Sequence, residues 1–268
     1  MTAAALGPAA RRLGATLLSL ALSLALIAIG WTAFLKALDV NPLVAKSPAD
    51  VWRYLMSGPE AGAHRDLVGD GLRVTLRDAG AGLVAGLAAA AVVAVAFVLW
   101  RTAERSFMPI AMVVRSVPLV AMTPVITLIF GRDLLATTVI SGIVVFFPAL
   151  VNLVFGLRSS SAQAADLVRA YGGGPWTTMR KVMVPSALPA FFASARIAAP
   201  GSLIGALLAE WLATGKGLGY AMLTSGSTFK YDELWASVVA VTLASLAVYA
   251  LIGVLEAVVL ARYAPRDH

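Results

Sequence analysis

Continuous apolar stretches, each bounded by short polar or charged segments, set the pattern of this chain. The first covers 13–35 behind Arg11 and Arg12, and others follow at about 72–100, 109–130, 134–157, 187–214 and 234–260. Each is close to or above the about 20 residues that carry an α-helix across a bilayer. The apolar residues run together and do not alternate with period two, which argues against a β-barrel. The expected fold class is all-α and polytopic, one membrane domain over 1–268 with about six transmembrane helices.

For the first stretch a cleaved signal peptide competes with a retained helix, because Ala28 and Gly30 are small. Its apolar length exceeds the roughly 7–15 residues of such peptides, and Trp31 and Phe34 extend it, so a retained helix is expected. Residues 39–70 are mixed and polar, with Pro42, Pro48 and Pro59, and read as an external loop with a short helix at 49–56. In the second stretch Gly80, Gly82 and Gly86 resemble a dinucleotide fingerprint only superficially. Inside an apolar helix, small residues four apart let helices pack closely. Residues 101–105 read as a polar turn, and Pro118 and Pro124 interrupt the third stretch. Together with Pro148 they break hydrogen-bond ladders and can form hinges.

Orientation follows from lysine and arginine. With the N-terminus inside, inner segments hold Arg11, Arg12, Arg101, Arg105, Arg158, Arg169, Arg180, Lys181, Arg262 and Arg266. The short outer loops hold Arg132, Lys216 and Lys230, and the long first loop counts weakly in this rule. Both termini are expected on the cytosolic side of the membrane.

Composition agrees: 60% of the 268 residues are hydrophobic and 13% charged, about half the charged share of a soluble domain. The net charge of +7 fits basic helix ends meeting anionic headgroups. No basic stripe with interleaved aromatics is present, so no nucleic-acid partner is expected. There is no cysteine, and His64 and His268 are the two histidines. Disulfides, thiolate metal sites and cysteine nucleophiles are excluded, and a histidine metal site or triad has little to work with. No catalytic residue, metal site or bound cofactor is expected in this chain.

The segment 158–185, between the fourth and fifth stretches, has its own pattern. Ser159, Ser160 and Ser161 can cap a helix that continues over 164–171. Gly172, Gly173 and Gly174 can end it, and Pro175 can open a second helix. There Trp176, Met179, Val182 and Met183 form an apolar face, with Arg180 and Lys181 directed elsewhere. Pro185 and Pro189 mark the start of the next span. The pattern fits docking in a partner's cleft and equally fits a helix resting on lipid headgroups.

Here the chain resembles the permease subunits of ABC-type importers. Their signature is Glu-Ala-Ala, three residues, Gly, nine residues, Ile, one residue, Leu-Pro. Asp166-Leu167-Val168, then Gly172, then Val182, Val184 and Pro185 keep that spacing. The acid is Asp, and Leu and Val replace the two alanines. Arg115-Ser116-Val117-Pro118 with Thr123-Pro124, Leu188-Pro189, Ala209-Glu210-Trp211 and Gly217-Leu218-Gly219-Tyr220 look like the nitrate, sulfonate and taurine branch. The resemblance covers about 72–262. It implies a type I importer permease fold, a bacterial inner-membrane location and a dimer of permeases. It also implies that 158–185 inserts into a cytosolic ATPase subunit, with Asp166, Arg169, Tyr171, Gly172, Trp176, Met179, Arg180, Val182 and Pro185 as coupling residues. An extracytoplasmic solute-binding protein and the lipid bilayer complete the implied partners. The implied cargo is a small anion such as a sulfonate, taurine or nitrate, or an aromatic acid or vitamin precursor.

No Gly-x-x-x-x-Gly-Lys-Ser/Thr loop occurs, so ATP and magnesium are expected on a separate chain. Ionisable residues within spans are costly and often functional. Arg115, Pro118, Thr123 and Glu210 are candidates for the pathway or an outer gate. The plainer readings are that Arg115 pairs with a carbonyl freed by Pro118 or snorkels to the interface, and that Glu210 sits at a solvated helix end; Glu210 could also pair with a basic residue in the dimer. Arg196, Asn152 and Glu256 are expected to be structural. A secondary carrier would show inverted repeats and midplane ion sites, and none is convincing. An intramembrane enzyme would need a nucleophile with its base or a metal cluster, and neither is evident.

Overall fold

Eleven α-helices connected by short turns appear in the computed structural model, which describes residues 6–262, with side chains from 22 onward. Arg11, Arg12, Arg266 and His268 thus lie outside the described side chains. Among the described residues there is no strand. The helices are α1 (Leu6–Ala37), α2 (Pro48–Met56), α3 (Ala61–Leu99), α4 (Arg101–Ser116), α5 (Leu119–Phe130), α6 (Leu134–Arg158), α7 (Ala162–Ala170), α8 (Pro175–Thr178), α9 (Val184–Ala209), α10 (Gly217–Ser227) and α11 (Tyr231–Leu260).

Ala61–Leu99, Leu134–Arg158, Pro175–Thr214 and Tyr231–Leu260 are long and apolar enough to cross a membrane. Helices α4 and α5 pass that test only together, and they are bent by 104°. The bend has a local cause. Pro118 excludes helical backbone at Val117, which is extended at φ −74°, ψ 126°. The third apolar stretch is therefore no straight crossing. The expected polar turn at 101–105 is instead the opening of α4, since the break falls one residue earlier, at Trp100. The polar loop also ends sooner than hydropathy implies: α3 begins at Ala61, because polar residues continue the same helix.

Contacts divide the chain into two compact units. One comprises Met1–Asp66 with Ser225–Ala236. In it, Ser47 caps α2 through a reciprocal capping box: the Asp50 N–H donates to Ser47 Oγ, and the Ser47 N–H donates to Asp50 Oδ2 at 2.9 Å. The Ser47 hydroxyl and amide hold the Asp50 carboxyl below its ordinary range, and Arg53 adds to this. The Trp235 indole donates to the Val44 carbonyl at 2.9 Å, Lys46 pairs with Asp232 at 3.1 Å, and Trp31 packs against Trp235. His64 stacks on Tyr54, whose phenol is pushed up to about 12 by burial and then by Glu233, Asp232 and Glu60.

The other unit is Leu67–Thr224 with Ser237–His268. Its centre is α6, packed chiefly on α9. Leu87, Val145, Leu150, Leu153, Ala198 and Ile252 belong to its main apolar core. Small residues permit the approach. A Cβ on Gly86 would lie 2.7 Å from the Gly142 carbonyl, and one on Gly205 2.6 Å from Ser141 Cα. Gly82 likewise faces Ser141, whereas Gly80 faces open space. The Ser141 hydroxyl donates to the Ser202 carbonyl at 2.8 Å, tying α6 to α9. Arg196 pairs with Glu256 at 2.9 Å and lies over the Tyr249 ring, joining α9 to α11.

Candidate functional site

Between α6 and α9 the chain leaves the bundle and returns through α7 and α8. Ser161 is the N-cap of α7, its hydroxyl accepting the Ala164 N–H at 3.3 Å. At the other end the Gly172 N–H donates to the Arg169 carbonyl and the Gly173 N–H to the Val168 carbonyl, both at 2.9 Å. That pair of bonds is a complete Schellman motif, with Gly172 left-handed at φ +80°. Pro175 then occupies the first turn of α8.

Helix α8 does not end before the next span. A π-helical turn, Met179–Met183, carries it into α9, giving one helix from Pro175 to Thr214. Pro185 thus marks the start of α9, as expected, without interrupting the helix. Pro185 lies in the first turn of α9, and the preceding wide turn accommodates its missing N–H. The Val184 N–H bonds the Met179 carbonyl, five residues back.

The segment has an anchored side and an open side. Ala165, Thr178 and Met179 are buried, and Val182, Met183 and Pro185 are half-buried. Asp166, Arg169, Gly172 and Arg180 are exposed, with Arg169 paired to Asp166 at 3.1 Å. Leu167, Tyr171 and Trp176 are exposed by 60, 86 and 62%. Trp176 therefore does not share the buried face of Met179, as its spacing had implied. At the base, Arg158 at the end of α6 grips Glu104 in the first turn of α4 through two hydrogen bonds, at 2.9 and 2.5 Å. Each charge sits at the helix end whose dipole favours it.

Two further regions hold the remaining sequence candidates. The α4–α5 bend opens a cleft of about 310 Å³ lined by Arg115, Pro118, Met122, Val144 and Phe147 among others. Arg115 and Pro118 are exposed, and among the described residues Arg115 has no ion-pair partner. Thr123 is fully buried, its hydroxyl turned back to the Leu119 carbonyl at 3.0 Å, so it does not line that cleft.

Glu210 is also fully buried, which overturns the solvated-end reading. It opens a second π-helical turn, Glu210–Thr214, closed by Gly215 at φ +65°. Its Oε2 accepts the Thr75 hydroxyl at 3.0 Å and the Gly219 N–H at 2.7 Å, and Thr75 Oγ1 in turn accepts the Leu218 N–H at 3.0 Å. Thr75 and Asp78 of α3, both buried here, escaped the sequence reading. Two polar residues three apart at the head of an apolar run share a helix face, and that spacing was the available signal.

Among known proteins, residues 82–264 match the family model described as the inner membrane component of binding-protein-dependent transport systems. A probable ABC transporter permease protein of Haemophilus influenzae is 28% identical over 201 residues, 73% of this chain and 82% of that protein. The formylaminopyrimidine transport permease protein ThiX of Halalkalibacterium halodurans is 31% identical over 59% of this chain and 63% of its own. The nitrate import permease protein NrtB of Leptolyngbya laminosa is 24% identical over 63% and 60%. With the all-helical fold, the membrane-length helices and the family model spanning more than half of the sequence, the chain belongs to the binding-protein-dependent transport permeases, the inner-membrane components of ABC importers.

Proposed function

We propose that this chain forms half of a homodimeric pathway for a small anionic solute and docks a cytosolic ATPase through α7, the Gly172 turn and α8. Both termini lie in the cytosol, and an extracytoplasmic binding protein delivers the solute. The observation that carries the docking assignment is the two-sided segment: exposed Leu167, Tyr171 and Trp176 on a base fixed by Ala165, Thr178 and Met179. Large apolar and aromatic side chains exposed on a rigid base are what a partner's cleft takes up. Because α8 continues into α9 as one unbroken helix, a push on the segment is passed to a span.

An anionic cargo is favoured by the α4–α5 cleft. Arg115 supplies a cation there, and α5 follows Pro118 with no side chain capping its first N–H groups. Broken helices in transporters direct such N-termini at anionic groups. Relatives named for nitrate and for a formylaminopyrimidine keep the cargo class broad.

The test replaces Tyr171 and Trp176 together with Asp and measures how much ATPase subunit copurifies with the chain from membranes. Two buried aromatic anchors are worth at least about 2 kcal/mol each in a typical interface. Copurification should fall more than tenfold while membrane insertion is unchanged. Retained copurification would overturn the docking assignment.

A further inference from the structure

Gly215 and Lys216 join the end of α9 to α10, whose opening residues Leu218 and Gly219 are buried. Leu218 is fully buried, and a Cβ on Gly71 of α3 would lie 2.7 Å from its Cδ2. The Leu218 and Gly219 N–H groups are both spent on side chains, the first on Thr75 of α3 and the second on Glu210 at the end of α9. Thr75 also donates to Glu210, which closes a ring across three parts of the chain. Gly217, at φ +80°, has no room for a Cβ because the Glu210 carboxylate fills that position, 2.6 Å away at Oε2. Gly219 is similarly hemmed in by the Leu207 carbonyl, at 2.5 Å. Lys216, just before α10, is within electrostatic range of Asp78, one turn along α3 from Thr75.

A carboxyl group with no solvent exposure is expensive to keep in an apolar bundle. Here it makes no ion pair among the described residues, and its Oε1 has no hydrogen-bond partner. A leucine would fill the space more cheaply. What the carboxyl group adds is an oxygen that accepts a backbone N–H and a hydroxyl at once.

We propose that Glu210 is a positioning residue that latches the first turn of α10 to α3, so that the start of α10, α3 and the end of α9 move as one body through the transport cycle. The inference deepens the transport reading and rests on it for the existence of nucleotide-driven states. The latch itself depends on nothing outside this chain.

The chain has no cysteine, so Leu218→Cys gives this chain a single thiol, whose labelling is read on the permease band of the assembled complex. Its labelling rate by a charged maleimide is measured in the nucleotide-free complex and after trapping with ATP and vanadate. With no other substitution, the thiol introduced by Leu218→Cys should be protected in both states. Adding Glu210→Ala or Thr75→Val should raise the rate at least about tenfold, the factor expected when a buried hydrogen-bond partner is left unsatisfied. The increase should differ between the two states, because an unlatched first turn of α10 no longer follows α3. Thr75→Ser keeps the hydroxyl and should restore protection. Basal ATPase turnover should be unchanged throughout.

Protection in every variant would overturn the latch. Equal labelling in both states would reduce Glu210 to a static packing role and overturn it as well. If Glu210→Ala does not accumulate, the Thr75→Val and Thr75→Ser pair decides by the same readout. If no ATPase copurifies with the chain, the transport reading fails separately, and labelling of the permease alone still tells a latched first turn of α10 from a free one.

Discussion

A left-handed residue at the end of α7 concentrates the turn's conformational demand on one position. Gly172 has φ +80°, with nothing within 4 Å of where a Cβ would stand, so the obstacle to a side chain there is backbone strain rather than space. Gly172→Val should cost about 1–2 kcal/mol in the turn, with a β-branched residue at the upper end. Gly174→Ala is the control, since Gly174 has φ −79° and open surroundings. Insertion should be normal in both variants. ATPase copurification and binding-protein-stimulated turnover should fall in Gly172→Val alone, and equal behaviour of the two would separate the turn from coupling. Ser161, Gly172 and Pro175 were legible in the sequence because caps and turns are decided within a few residues. Glu210 was noticed only as an ionisable residue in an apolar run. Its partner Thr75 lies 135 residues away, and no local pattern reports such a pairing.

Between helices, contact distance is set by what the facing positions lack. Gly82 and Gly86 bring α3 against Ser141, Gly142 and Val145 of α6, and the spacing of the small residues had foretold close packing. It did not tell which glycines mattered. Gly82→Ala would drive a Cβ into Ser141 and within 3.1 Å of the Gly142 nitrogen, forcing α3 away from α6. Such overpacking costs about 1–3 kcal/mol. Gly80→Ala meets nothing within 4 Å and should gain up to about 1 kcal/mol of helix propensity. Thermal unfolding of the purified chain should therefore shift down for Gly82→Ala and stay level or rise for Gly80→Ala. A downward shift for both would mean that the α3–α6 contact is not what the glycines serve. Helix existence was readable from hydropathy, but several ends were not. Hydropathy reports where lipid is tolerated, whereas a helix continues wherever its backbone bonds do. That is why α3 starts at Ala61 and why Pro185 lies within a helix. The 104° bend at Pro118 was legible as an interruption, but its angle depends on how α5 packs against α6.

Across the whole molecule, length decides how the coupling segment reaches its partner. The continuous helix Pro175–Thr214 has 40 residues and spans about 60 Å, roughly twice the hydrocarbon thickness of a bilayer. If α9 crosses the membrane, a large part of that helix must project beyond the hydrocarbon on one side or both. The side is fixed by charge. Arg158, Arg169, Arg180 and Lys181 gather around α7 and α8, whereas the turn at the other end of α6 carries Arg132 beside Asp133. Lysine and arginine are held on the cytosolic face, so α7 and α8 should be cytosolic and the 131–133 turn external. Single cysteines can decide this in a chain that has none. Gln163→Cys and Arg132→Cys both fall at exposed positions, at opposite ends of the 25-residue α6. In sealed right-side-out vesicles a membrane-impermeant maleimide should label Arg132→Cys and leave Gln163→Cys unlabelled, and inside-out vesicles should reverse the result. Replacing Arg132 removes a positive charge from the outer side, so the substitution itself favours the expected orientation. A neutral Arg132→Ser chain carrying Gln163→Cys controls for that bias. Labelling of Gln163→Cys from outside in either background would place the exposed Tyr171 and Trp176 away from any ATPase, and the docking assignment would fall with the topology.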